Sequence, residues 1–209
     1  MRAAKAAGSS RKTPRAKLFR IKVISLGDQA VGKSCLIKRY CEEKFVQKYV
    51  PTIGIDYGVK PYKLGDYEVR VNLWDLAGAP DYAEVRNEFY KDTQGCILVY
   101  DVTNRACFEA LEGWLKEAQD HGAENMVIVV AATKADNLSR KVTEKEGRDW
   151  ASQQGFPFFE VSSANGHAVR TLFATLFARM LATIPGIPKD LSALAVQMAN
   201  TVREQEDML

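Results

Sequence analysis

At 209 residues the chain suits one domain of ordinary size plus tails. With 46% apolar and 26% charged residues it can build a real core, yet no stretch approaches the roughly 18 uncharged apolar residues of a membrane span, and no signal-peptide h-region is present. The net charge of +3 is too small to point to nucleic acid as a partner.

Residues 1–19 carry Arg2, Lys5, Arg11, Lys12, Arg15 and Lys17 and nothing acidic, so they read as a basic flexible arm. Such an arm serves as a solvated tail, a contact to anionic lipid or an acidic partner, or a targeting leader. From Arg20 the pattern changes. Ile21–Leu26 is a short apolar run ending at Gly27, the signature of a buried strand. A glycine-containing turn and a helix from about Lys33 to Glu43 follow. Tyr57–Lys63 and Tyr67–Trp74, rich in Val and Tyr, flank Gly65-Asp66 and predict a β-hairpin. Further buried strands are expected at Gly95–Tyr100, Met126–Ala132 and Pro157–Val161. Helices are expected at about 80–92, 105–121, 143–154 and 166–183. Thr143 with Glu146 forms a capping-box pattern.

Alternating strands and helices predict an α/β fold, with a six-stranded, mostly parallel sheet, one antiparallel strand from the hairpin, and helices on both faces. The domain is expected over 20–184. Pro185, Gly186 and Pro188 then break the chain, and 185–209 forms an extension. In it Leu191, Leu194, Ala195, Met198 and Val202 make one stripe of an amphipathic helix, which packs on a protein partner or back on the domain, or frays. The four cysteines, Cys35, Cys41, Cys96 and Cys107, form no CxxC pair, and His121 and His167 lie far from them, so neither a zinc site nor a disulfide framework is expected. A reducing, cytoplasmic setting fits this usage.

The most specific motif is Gly27-Asp28-Gln29-Ala30-Val31-Gly32-Lys33-Ser34, which matches G-x-x-x-x-G-K-[ST] between a strand and a helix. Backbone N–H groups of such a loop, extending to Cys35, face phosphates at a helix N-terminus. Lys33 is expected to bridge the β- and γ-phosphates, and Ser34 to bind Mg²⁺. The base is named further on. Asp136, in Thr133-Lys134-Ala135-Asp136, offers two acceptors to the guanine N1–H and amino group, a donor pair that adenine lacks. Lys134 can lie along the ring, and the Ala164 N–H of Ser162-Ser163-Ala164 can meet O6. Both triplets follow strands, where ligands of such sheets bind. Asp75 would reach Mg²⁺ through water, the Gly78 N–H would meet the γ-phosphate, and Thr52 would complete the metal shell only when that phosphate is present. Its loss would release two loops.

Over about residues 20–184 the chain resembles the Ras-superfamily small GTPases, with these motifs in order. The resemblance implies a P-loop G domain binding GTP or GDP with Mg²⁺, with Phe45, eleven residues after Ser34, against the guanine edge. It also implies effector and exchange-factor partners through segments 46–58 and 78–92. Ile53-Gly54-Ile55-Asp56-Tyr57 and Trp74-Asp75 look like Rab signatures. Tyr57, Trp74 and Phe89 match the aromatic triad that meets Rab effectors, their alternative role being core packing. Runs such as Lys38-Arg39-Tyr40-Cys41-Glu42 and Glu84-Val85-Arg86-Asn87-Glu88-Phe89-Tyr90-Lys91-Asp92 resemble a Rab-like family whose animal members carry a C-terminal J domain. No His-Pro-Asp tripeptide occurs here, so no J domain is expected. By analogy alone, that family adds the cilium or flagellum and basal body as settings.

Departures from the pattern bear on turnover. Ala79 stands where the family places the glutamine that orients the attacking water. Gln29-Ala30 replaces a common glycine pair, and Gln29 is the one residue nearby that could substitute for the missing glutamine. Thr133 stands where Asn is commoner. Slow hydrolysis is therefore expected. The last cysteine is Cys107 and Arg2 excludes myristoylation, so no stable lipid anchor is expected. A switch with impaired hydrolysis is the first reading. The second is a structural or interaction protein that keeps nucleotide as a structural cofactor.

Overall fold

The structure, a computed structural model, describes residues 16–123 and 125–208. Most of the expected arm therefore lies outside the described residues. Its last part does not behave as an arm. The first strand, β1, is Lys17–Leu26, and Lys17–Phe19 already pair with Tyr67–Val69.

After β1 come α1 (Lys33–Glu42), β2 (Ile55–Leu64), β3 (Tyr67–Leu76), α2 (Ala83–Asn87), β4 (Gly95–Asp101), α3 (Arg105–Glu109), α4 (Leu111–Asp120), β5 (Val127–Thr133), α5 (Glu144–Gln153), β6 (Phe158–Glu160), α6 (Val169–Thr183) and α7 (Lys189–Asp207). The sheet order is β2-β3-β1-β4-β5-β6, and only β2–β3 is antiparallel. This is the six-stranded α/β architecture expected from the strand–helix alternation. Every residue of β4 is buried, as a central parallel strand covered on both faces requires.

Three helices differ from the expected spans. The segment after Gly78 holds only α2, entered through a 3-10 turn at Pro80–Tyr82, because proline favours the first position of a helical turn and Asp92 at φ 58° closes the region. The expected helix 105–121 is divided at Ala110 into α3 and α4, and Asn104 caps the start of α3 by accepting from the Ala106 N–H. The last domain helix starts at Val169 because Gly166 and Ala168 both have positive φ. The Thr143–Glu146 capping box is present at the start of α5.

The core lies between the sheet and its helices. Tyr40 of α1 stacks on Phe173 of α6, and Tyr62 of β2 stacks on Phe177. Helix α7 packs along α6 with Leu191 and Ala195 fully buried. Its flank is pinned by Tyr67 Oη donating to Asp190 Oδ2 at 2.7 Å and Thr171 Oγ1 donating to Glu206 at 2.6 Å.

Candidate nucleotide site

The loop between β1 and α1 is shaped by close approach. A Cβ on Gly27 would lie 2.1 Å from the carbonyl oxygen of Val99 in β4, so no side chain fits there. Gly32 has φ 101°, where L residues are strained. Ala30, at φ 62°, adopts the left-handed region without being glycine. Lys33 follows at the start of α1. Its Nζ donates back to the carbonyls of Gly27 (2.7 Å) and Asp28 (2.8 Å). Burial pushes this ammonium down to about 8, with Asp75 and Asp28 acting in the opposite sense. A phosphate beside it would favour the charged form.

The strand register brings the metal-type oxygens together. Ser25 in β1 is level with Asp75 in β3, and its hydroxyl donates to Asp75 Oδ1 at 2.9 Å. The Thr52 hydroxyl donates to Asp75 Oδ2 at 3.3 Å, and Ser34 Oγ lies 2.9 Å from Thr52 Oγ1. Two hydroxyls and one carboxylate in contact are hard oxygen donors that fit Mg²⁺, which keeps several waters and takes few protein ligands.

One cavity of about 460 Å³ opens above these groups. Gln29, Ala30, Gly32, Lys33, Ser34 and Cys35 line it from the loop and α1, with Phe45 and Thr52 from the loop that follows. Gly78 and Ala79 line it beyond β3, Thr133, Lys134 and Asp136 beyond β5, and Ser163 and Ala164 beyond β6. Val31 is the exception among the expected loop residues, for its side chain is buried. Its carbonyl lies 2.5 Å from Thr133 Oγ1, which also sits 3.0 Å from the carbonyl of Tyr100. Thr133 thus ties the end of β5 to the phosphate-type loop. Lys134, at φ 58°, pairs with Asp101 Oδ2 at 2.6 Å and donates to the Ala30 carbonyl at 3.1 Å.

Sequence reasoning did not single out Lys38, Tyr82 or Asn137, which line the same cavity. It also missed a buried network behind it. Arg86 forks onto Glu117 of α4 (2.6 and 3.0 Å), donates to the carbonyls of Ala77 (3.2 Å) and Ala79 (2.8 Å), and lies over the Trp114 ring. Tyr90 Oη donates to the same carboxylate at 2.6 Å. Burial pushes the Glu117 carboxyl up, but the hydrogen bonds from Arg86 and Tyr90 outweigh it and hold the group below the ordinary carboxylate value. No sequence signal marks it, for Arg86 stands among Glu84, Val85, Asn87 and Glu88 and reads as part of a solvated helix face.

Tyr57, Trp74 and Phe89 form one continuous aromatic surface. Their ring centroids are 4.6 Å apart for Tyr57–Trp74 and 5.0 Å for Trp74–Phe89, and Tyr57 is half exposed. Tyr57 and Trp74 are cross-strand partners. Among the described residues no helix is long and apolar enough to cross a membrane.

The Ras family model matches residues 22–182. The chain is 53% identical to DnaJ homolog subfamily C member 27 of Mus musculus over 173 residues, covering 80% of this chain and 63% of that protein. For the Danio rerio protein of the same name the identity is 52% over 168 residues, covering 78% of this chain and 62% of that protein. The chain therefore spans less than two thirds of the length of these relatives.

Proposed function

Because this chain belongs to the Ras family of small GTPases, we propose that it binds GTP and GDP with Mg²⁺ as a Rab-like switch whose hydrolysis is very slow. The single observation that carries the reading is the common cavity. Gln29, Ala30 and Gly32 to Cys35, with Thr52, Gly78 and the segments after β5 and β6, come from distant parts of the sequence and meet on its walls.

In this reading Lys33 and the loop amides hold the β- and γ-phosphates, and the dipole of α1 favours their charge. Ser34, Thr52 and, through water, Asp75 hold the metal, and Ser25 fixes the Asp75 carboxylate. Bound Mg²⁺ neutralises phosphate charge. Asp136 selects guanine, Phe45 covers the base edge, and the Ala164 amide meets O6. Lys134 is already oriented by Asp101.

Water is the attacking species, and nothing positions it well. Ala79 lines the cavity with a methyl group that neither donates nor accepts. Gln29 lines the same cavity from the loop, and its amide is the one nearby group that could serve in place of the missing glutamine. Tyr57 of segment 46–58, Phe89 of segment 78–92 and Trp74 between their rings supply an effector surface. A cytoplasmic setting belongs to the same proposal on cysteine usage, and the cilium or flagellum as a place within it rests on the family resemblance alone.

The test is the identity of the nucleotide that copurifies, followed by its single-turnover fate with Mg²⁺. GTP persisting for hours is expected. Bound GDP with brisk turnover overturns the slow-hydrolysis part, and adenine nucleotide or none overturns the whole reading.

A further inference from the structure

Gly78 is gripped from two sides. On one side its Cα rests on the phosphate loop so closely that a Cβ would lie 2.3 Å from the backbone carbon of Asp28 and 2.4 Å from the Gln29 nitrogen. On the other side Arg86 Nη1 holds the carbonyls of both its neighbours, Ala77 and Ala79. The Ala77 carbonyl and the Gly78 N–H belong to one planar trans peptide and point in opposite directions. Pulling that carbonyl toward Arg86 therefore aims the Gly78 N–H away from Arg86. Gly78 lines the cavity and Arg86 does not.

The grip has a rigid base. Arg86 is buried, with its fork saturated by Glu117 and its plane over Trp114 at 4.6 Å. The Trp114 indole N–H donates in turn to Asp28 Oδ1 at 2.7 Å, across 86 residues. Asp28, Trp114, Arg86, Ala77 and Gly78 thus close a ring that returns to the backbone of Asp28. A buried ion pair contributes little net stability over an apolar replacement, so stability alone does not account for this arrangement.

We infer that Arg86, with Trp114, is a positioning residue that presets the Gly78 N–H toward the γ-phosphate and couples that amide to the phosphate loop. The inference deepens the proposed function and rests on its assignment of the cavity to a nucleotide. GDP lacks the group that this amide meets, so the device discriminates between the two nucleotides. Arg86 touches neither nucleotide.

The test measures the affinities of fluorescent GDP and of a non-hydrolysable fluorescent GTP analogue for the full chain, as wild type, R86A and W114F. R86A is expected to weaken the GTP analogue at least about tenfold while GDP stays within about twofold. W114F keeps a ring under the guanidinium but removes the N–H to Asp28, and a loss of several-fold, again confined to the GTP analogue, is expected. Equal weakening of both nucleotides, or no change in either, overturns the inference. W114F decides the matter should R86A not fold. If the wild type binds neither nucleotide, the proposed function fails, and hydrogen exchange of amides 77–79 then judges the ring separately. Protection lost in the variants supports it, and unchanged exchange overturns it.

Discussion

Thr133 Oγ1 reaches the carbonyl of Val31, 102 residues earlier in the chain, at 2.5 Å. One hydroxyl therefore joins the end of β5 to the loop after β1, and both groups are buried there. Thr133→Val keeps the shape and removes the proton. Leaving the Val31 carbonyl unpartnered costs about 1–3 kcal/mol, to be read as a lower midpoint in urea unfolding. Faster release of guanine nucleotide should accompany it. An unchanged midpoint would mean that water takes the place of the hydroxyl.

Asp136 stands at the exposed rim of the cavity. Asp136→Asn replaces two acceptors by one acceptor and one donor, so the pairing with the guanine N1–H and amino group is lost. Guanine nucleotide affinity should fall about 100-fold or more, since hydrogen bonds to charged groups contribute about 1.5–3 kcal/mol each. Xanthine nucleotide, with a carbonyl in place of the amino group, should gain. Competition titration with both nucleotides checks this, and an unaltered preference would remove Asp136 from the base site.

Hydrolysis by the unaltered chain should lie below the order of 10⁻⁴ s⁻¹ typical of unassisted turnover. Ala79→Gln restores a water-orienting amide and should raise the single-turnover rate by about tenfold or more. Gln29→Ala should leave the rate unchanged. The opposite result, a rate that falls in Gln29→Ala, would identify Gln29 as the residue that positions water.

The Arg86–Glu117 pair gives an acid limb to stability. Because the folded-state value of Glu117 is depressed, its contribution is fully present above the unfolded carboxylate value of about 4.3 and is lost as pH falls through the lower folded value. Urea midpoints measured between about pH 3 and 6 should fall more steeply for the wild type than for Glu117→Gln. Parallel curves would assign the acid sensitivity to other carboxylates.

Leu191 is fully buried between α7 and the domain. Leu191→Ala should cost about 2–5 kcal/mol and lower a single cooperative unfolding transition. Two separate transitions, or no loss, would show that α7 is not part of the folding unit.

Local patterns carried the strand–loop–helix unit around Lys33, because its chemistry and its geometry lie within one short stretch. The positions of Thr133 and Asp136 were equally legible, since both follow an apolar run. What Thr133 does was not, for its acceptor lies on the loop after β1, a strand that β4 separates from β5 in the sheet. Arg86 shows the same limit more sharply. Nothing in its neighbourhood names Glu117, 31 residues away, or the carbonyls of Ala77 and Ala79. The stripe Leu191–Val202 announced a helix, but a stripe states only that something covers it, and here α6 does. The span of α2 was overread because Pro80 and Asp92 confine the helix more than its composition suggests.

The bond from Tyr67 to Asp190 has a consequence for the chain as it is made. These residues are 123 apart, and at roughly 5–20 residues per second a ribosome needs on the order of ten seconds to go from one to the other. During that interval the start of β3 waits without its cover, and so does the Gly65 turn, against which Leu194 later packs. Whatever shields that hairpin in the nascent protein acts before α7 has been synthesised.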